Sequence, residues 1–303
     1  MRPALLTALL VIGVAAPAHA AYPGGNGKLV FFQDEVGGVE PVGLAVSNAQ
    51  GRDQSPNPLG PVCGGEGAER APGPCPREPI WSPGGTLIAF GLGGTVATMK
   101  PDGSDVQRLP LTGFARVTSP AWSPDGARIA FSAVRGGTRN VYVTDTAGSA
   151  VIALTRAGGG SPAWSTRNEI AFTRRNDVFR MPASGGRARR LTARGGLAPT
   201  WSPGGNAIAF VRKVRLKRKS KRRTPVLYRF NRTGTGLKRL TGGWSEDPSW
   251  TPNGNSVLFT NFDSFNLTIR AVPAGGGKTR QITAGLEGRR VAVRSADQQP
   301  IPR

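Results

Sequence analysis

The sequence predicts an all-β fold, a propeller of six four-stranded antiparallel blades closed by the C-terminal strand. Three observations carry this. A Pro-x-Trp phrase returns at Pro79-Ile80-Trp81, Pro120-Ala121-Trp122, Pro162-Ala163-Trp164, Pro199-Thr200-Trp201 and Pro248-Ser249-Trp250. The tryptophans are 41, 42, 37 and 49 residues apart, which is the period of a blade of four short strands. The 43 glycines and 26 prolines among 303 residues suit a chain of tight turns, and almost no segment reads as helix.

The first twenty residues stand outside this pattern. Arg2, an apolar run over residues 5–16 and Ala18-His19-Ala20 match the three regions of a cleaved secretory signal. The run is short for a membrane span, and no later stretch approaches one. The expectation is a signal over residues 1–20 and one propeller domain over 21–303, in the periplasm, the envelope or the medium. Cleavage removes His19, the only histidine, and with it every Ser-His or Cys-His nucleophile arrangement.

One unit shows the grammar of the rest. Ala121-Trp122-Ser123 is a short strand, and Pro124-Asp125-Gly126 is a turn in which Pro presets the first corner and Gly accepts positive φ. A second strand over 127–132 contains Ile129-Ala130-Phe131. Gly136-Gly137 turns the chain, residues 140–145 alternate apolar and polar as a third strand, and residues 151–155 form the fourth. At the N-terminal end, Tyr22 and Leu29-Val30-Phe31 keep the Trp-to-Phe offset. At the other end, Ser295-Ala296-Asp297-Gln298-Gln299-Pro300 aligns with residues 119–124. The tail is therefore expected to supply the first strand of blade one and close the ring, which removes free sheet edges.

Two cysteines and a large charge complete the inventory. Cys63 and Cys75 lie in one Gly/Pro-rich stretch. In an exported chain an even pair reads as a disulfide, here worth about 3 kcal/mol by chain entropy. The alternative, a two-thiolate metal site, lacks histidine or a second cysteine pair to complete it. The net charge is +22, and +21 once Arg2 is lost. A charge this large favours polyanions and anionic surfaces as partners.

With these phrases in place, the chain resembles the TolB-like six-bladed propellers over residues 22–300. Their repeats carry Pro-x-Trp-Ser-Pro-Asp-Gly followed by Ile-Ala-Phe. Only Asp125 keeps the loop aspartate; Gly84, Gly204 and Asn253 replace it elsewhere, and the turn at Thr166-Arg167 is one residue shorter. An acidic residue before the first Pro occurs only as Glu78 and Asp247. These departures weigh against repeated cation sites. The family's namesake also carries a separate N-terminal domain, for which this segment leaves no room. The resemblance implies the fold, with envelope proteins as the family's partners, and not the namesake's cellular role.

The candidate functional residues are what the repeat leaves over. Between the second and third strands of blade five runs Arg212-Lys213-Val214-Arg215-Leu216-Lys217-Arg218-Lys219-Ser220-Lys221-Arg222-Arg223, with nine cations in twelve residues. Its like charges repel, so the segment reads either as an anion-binding arm or as a solvated loop. Loops after second and fourth strands leave a blade on one side. Arg135, Arg139, Arg174, Arg175, the arm and the Cys63–Cys75 loop should therefore share a face. The repeat tryptophans are expected to pack between blades, whereas Trp244 lies outside the repeat and is a candidate ligand contact. Asp34, Glu35, Glu246, Asp247 and Asp263 are the sparse acids that could meet at the channel. No EF-hand, phosphate loop or nucleophile elbow is present.

The reading is a non-enzymatic, monomeric binding propeller of the cell envelope, with no cofactor or metal. Its basic loop captures an anionic polymer, an anionic surface or an acidic envelope protein. Nucleic acid is disfavoured, because the basic run contains no aromatics for base stacking. The competing classes are an exported hydrolase or lyase using carboxylates or Lys, and a calcium-supported structural module.

Overall fold

The computed structural model describes residues 25–35, 42–47, 59–63, 76–216, 221–263, 266–282 and 291–301. Four sequence expectations lie wholly or partly outside them: the signal at 1–20, the Cys63–Cys75 bridge, the arm's cations Lys217, Arg218 and Lys219, and the side chains of Asp34, Glu35 and Asp263.

The chain enters with β1 (Gly25–Glu35), β2 (Val42–Ser47) and β3 (Leu59–Cys63). Five blades of consecutive strands follow. The first holds β4 (Arg77–Trp81), β5 (Ile88–Leu92), β6 (Thr95–Met99) and β7 (Gln107–Arg108). The second holds β8 (Ala115–Trp122), β9 (Arg128–Arg135), β10 (Thr138–Asp145) and β11 (Ile152–Ala153). The third holds β12 (Gly160–Trp164), β13 (Glu169–Arg174), β14 (Asp177–Pro182) and β15 (Arg189–Arg190). The fourth holds β16 (Leu197–Trp201), β17 (Ala207–Val214), β18 (Thr224–Asn231) and β19 (Lys238–Arg239). The fifth holds β20 (Glu246–Trp250), β21 (Ser256–Asp263), β22 (Asn266–Pro273) and β23 (Arg280–Gln281). The last strand, β24 (Val291–Ile301), pairs antiparallel with β1, so the remaining sheet has the order β24-β1-β2-β3. The molecule is thus an all-β propeller of four-stranded antiparallel blades, with one sheet assembled from both ends of the chain. The outermost strands β7, β11, β15, β19 and β23 are two residues each, shorter than the run expected over 151–155. A minimal edge strand offers little backbone for another chain to pair with.

The Ile-Ala-Phe triplet explains how blades stack. Successive strand residues face opposite sides of a sheet. Ile208 and Phe210 therefore join Trp201 against Ala171 and Val178 of the preceding blade. Ala209, between them, turns to the following blade and meets Trp250, Val257 and Phe259. The same exchange places Trp122, Ile129 and Phe131 against Ala89 and Val96, and Trp164, Ile170 and Phe172 against Ala121 and Ala130. Val30, Leu44 and Val46 of the end sheet cover Trp81, Ile88 and Phe90, while Leu29, Phe31 and Ala45 cover Leu258 and Ile269. The core is divided into slabs between neighbouring sheets, as the period-two pattern requires.

The phrase's fourth position, Ser in four blades and Thr251 in the fifth, follows the inner strand. The Ser123 Oγ accepts from Arg128 N at 2.9 Å, and Ser202 Oγ accepts from Ala207 N at 3.0 Å. Gly126 sits at φ 70° in that turn, where a side chain would be strained. In the shorter turn Asn168 takes the left-handed position, at φ 53°, a role asparagine tolerates.

Two polar clasps tie sheets together. Glu169 receives Arg180 of its own blade and Arg232 beyond β18. Asp297 on β24 is buried; its Oδ2 accepts from Trp81 N at 2.9 Å and its Oδ1 from Ser249 Oγ at 2.6 Å. One side chain of the last strand thereby joins β4 to β20. Replacing Asp297 by Ala should lower stability by about 2 kcal/mol, since it removes two bonds to a charged acceptor and strands a buried N–H. Chemical denaturation of the variant checks this.

Candidate functional site

Inner strands touch in the circuit β24, β4, β8, β12, β16, β20 and back to β24, and they surround a central channel. Each strand from β4 to β20 carries an extra residue against its neighbour. Arg77 pairs with Gly91, yet Ile80 pairs with Ala89; the same shift recurs between Thr118 and Ala121, Gly160 and Ala163, Leu197 and Thr200, and Glu246 and Ser249. Inside these bulges Glu78, Ser119, Ser161, Ala198 and Asp247 have φ of 52°, 55°, 47°, 45° and 47°. All five line the channel, together with the prolines that follow them. A left-handed conformation costs a non-glycine residue roughly 1–2 kcal/mol, and here it recurs in five blades at the position that faces the hole.

The channel holds about 190 Å³. That is room for small groups or several waters and not for a folded domain. Its wall is asymmetric. Glu78, Asp297 and Asp247 come from the adjacent strands β4, β24 and β20, while Ser161 and Ala198 come from the far side. The described lining contains no Lys or Arg, although the protein is strongly basic.

The carboxylates serve partly as struts. Glu78 Oε2 accepts from Ser119 N of the next blade. Burial pushes the Glu78 carboxyl up, bonds from Ser119 oppose that, and the Asp247 charge raises it further. Among the described residues no group of three or more His, Cys, Asp or Glu is arranged to hold a metal ion. Of the sparse acids singled out in the sequence, Asp247 lines the channel, while the side chains of Asp34, Glu35 and Asp263 lie outside the described residues. Glu78 and Asp297 were not in that set. The signal for Glu78 was its place before the first Pro of the phrase; Asp297 gave none beyond its alignment with Ala121.

The second surface lies where hairpins after second strands meet the links between blades. Arg174 stacks over Phe172 and Phe179 at 5.1 and 5.2 Å, with Nε donating to Gly158 O at 2.8 Å. One blade on, Arg212 stacks over Phe210 and Tyr228 at 5.3 and 5.1 Å, with Nε donating to Gly195 O at 2.9 Å. Burial lowers both guanidinium pKa values, and for Arg174 the neighbouring Arg175 charge adds to the effect. Arg175 occupies a two-residue turn with Asn176, both left-handed, and is exposed. Arg139 Nη1 reaches Thr118 Oγ1, and Arg135 stacks over Phe114.

Of the arm's described residues, Arg212 and Lys213 pair within the β17–β18 ladder, opposite Val226 and Pro225, and Arg215, Leu216 and residues 221–223 lie beyond its last pair, Val214–Thr224. Lys213, Arg215, Lys221, Arg222 and Arg223 are exposed. Arg222 lies over the Trp244 ring at 5.5 Å, and Trp244 meets Phe262 edge-on at 5.7 Å. Ser245 N donates to Pro225 O at 2.9 Å, fixing this link beside the hairpin. The structure therefore separates residues that the sequence grouped. Arg212 and Arg174 are stacked, partly buried struts, whereas Lys213, Arg215 and residues 221–223 present charge to solvent.

A family profile described as the TolB beta propeller domain matches residues 78–293. Among curated proteins, the Protein TolB homolog of Chlorobium chlorochromatii is 33% identical over 118 residues, 36% of this chain and 26% of that protein. The Protein TolB homolog of Chlorobium luteolum is 30% identical over 117 residues, 36% of this chain and 27% of that protein. The matched segments thus span about a quarter of each relative. The crystal structure of TolB from Acinetobacter baumannii superposes with a TM-score of 0.72 and 18% identity, covering 91% of this chain and 67% of the other. At that identity the likeness bears on the fold alone.

Two measurements test these assignments. Glu78 has a folded pKa above its unfolded value, so its stabilising contribution is complete below the unfolded pKa and is lost as pH rises through the folded one. Glu78→Gln should therefore melt higher than the parent near pH 7, and the difference should close by about pH 4. Arg212→Ala should cost about 1–2 kcal/mol through lost stacking and a freed carbonyl, whereas Lys213→Ala should stay within about 0.5 kcal/mol; denaturant midpoints report both.

Proposed function

Because the chain belongs to the TolB beta propeller domain family, we propose that it is a non-enzymatic binding propeller of the cell envelope, acting outside the cytoplasm as a monomer. In this reading the sheet built from both ends counts as the sixth blade, and β24 closes the ring. In the same reading, residues 1–20 direct export and Cys63 pairs with Cys75, a bridge that would persist outside the cytoplasm.

Charge segregation is the observation that carries the reading. The cations Lys213, Arg215, Lys221, Arg222 and Arg223 are exposed at one hairpin end beside Trp244, while Glu78, Asp247 and Asp297 line the channel. A rigid ring that holds opposite charges apart can steer an anionic partner to its loop face and keep it off its bore. Lys217, Arg218 and Lys219 extend the same cationic run in sequence, and Arg174, Arg175 and Arg212 enlarge the positive field around it. The partner is an anionic envelope surface or polymer, or an acidic envelope protein. Binding rather than catalysis is supported by the work the channel acids already do: Asp297 spends both oxygens joining strands, and Glu78 braces Ser119.

The test replaces the cations at 213, 215, 217–219 and 221–223 by Gln or Ser while keeping Arg212, whose ring contacts belong to the scaffold. The parent should be retained on an immobilised polyanion and released by salt, because exposed charges are screened within about 8–10 Å near physiological ionic strength. The variant should bind at least about tenfold more weakly at unchanged melting temperature. Equal retention of the two proteins would refute the arm's role.

A further inference from the structure

We propose that the corner formed by the β17–β18 hairpin, Trp244 and Phe262 docks on an anionic phospholipid bilayer. This rests on the reading that the arm captures anions, and it names the partner. Charge alone would suit any polyanion. What singles out a membrane is the apolar surface placed beside the charge. Leu216 is 42% exposed and Phe262 is 41% exposed, and Ile152 and Leu237 are the other large apolar side chains so exposed among the described residues. Leu216 lies two residues beyond Val214, and Arg222 two before Thr224, so both flank one hairpin end. Phe262, paired with Leu267, is one residue short of the end of the β21–β22 ladder and packs edge-on against Trp244.

Trp244 adds a second observation. It is half-buried rather than sealed between blades like the repeat tryptophans, and Arg222 lies over its face. A half-exposed indole with a guanidinium on its face and an exposed Phe beside it matches the aromatic residues that settle at a lipid interface. Lys213, Arg215, Lys221, Arg222 and Arg223 would lie at headgroup level, each attracted to an anionic leaflet. Several cations beside one or two insertable side chains satisfy the need for two signals in stable peripheral binding. The described residues contain no helix long and apolar enough to cross a membrane.

The probe is sedimentation with phosphatidylcholine vesicles containing about 30% phosphatidylglycerol, with pure phosphatidylcholine vesicles as the reference. Soluble polyglutamate binding is measured in parallel. The parent should partition onto the anionic vesicles at least about tenfold better than onto neutral ones, and brominated acyl chains should quench its tryptophan fluorescence. Trp244→Phe should abolish that quenching, since the repeat tryptophans are buried between blades. Leu216→Ser with Phe262→Ser should lower vesicle partitioning about fivefold or more while leaving polyglutamate binding and the melting temperature unchanged. Arm-dependent polyglutamate binding without vesicle partitioning would overturn the bilayer proposal and leave the anion-capture reading standing. Partitioning without quenching would mean adsorption by charge alone and would also overturn it. Loss of both interactions would remove the parent reading as well.

Discussion

A blade is a sheet with two apolar faces, and neither may meet water. Everything else in this fold depends on covering both. The Trp, Ile and Phe of one blade press on the small Ala of the blade before, and that alternation repeats between neighbouring sheets. Burying a side chain of this size is worth about 1.5–3 kcal/mol, and each interface contains several. A linear stack would still leave two terminal faces wet. The end sheet removes both, with Val30, Leu44 and Val46 on one side and Leu29, Phe31 and Ala45 on the other. Ring formation follows from two-sided hydrophobicity, and the hydrogen bonds of β24 set where the ring joins.

That closure dictates the channel. Inner strands converging on an axis must relieve crowding, and each from β4 to β20 does so with a bulge just before its proline. The bulge turns one residue per blade toward the axis in a left-handed conformation that the ladder alone would not choose. Since the backbone imposes this position whatever side chain occupies it, the five residues there are released from core packing. Ser161 and Ala198 leave part of the wall neutral, while Glu78 and Asp247 make the seam side acidic. Asp297 belongs to the same arc for another reason: it sits where Ala121 and Ala163 sit in other inner strands, and its carboxylate stitches β4 to β20.

Much of this was legible in the residues. The Trp-Ser-Pro phrase with its Ile-Ala-Phe echo located the inner and second strands of five blades, because period-two burial and a fixed turn leave little freedom. The Tyr22 and Ser295 registers pointed to the pairing of the two ends. The bulges were not legible, since an extra residue in one strand shows only against its partner. Nor was the division among the cations. Arg174 and Arg212 looked like members of a charged surface, yet each follows a Phe by two positions, which puts it on the same side of its strand as that ring. Phe-x-Arg in a buried second strand is the signal that a guanidinium will stack inward, and the charge count concealed it. Asp297 was hidden for a similar reason: its partners Trp81 and Ser249 are 216 and 48 residues away.

The separation of charge has a physical cause in the same geometry. The bore is narrow and walled by proline and indole; in it Glu78 and Asp297 find backbone N–H and hydroxyl donors from adjacent inner strands, and Asp247 accepts from Thr260 Oγ1 of β21. Cations are better placed at hairpin ends, where aromatic rings capping the slabs offer their faces. Arg135, Arg174, Arg212 and Arg222 each lie over such a ring. Stacking holds the inner three against the scaffold, and the hairpin carries the remaining charge outward, past the last ladder pair at Val214 and Thr224. At that corner the scaffold's aromatic caps, Trp244 and Phe262, come closest to the exposed cations. The same features that end a hydrophobic slab therefore create a surface with apolar and positive character together, and a partner must satisfy both to bind there tightly.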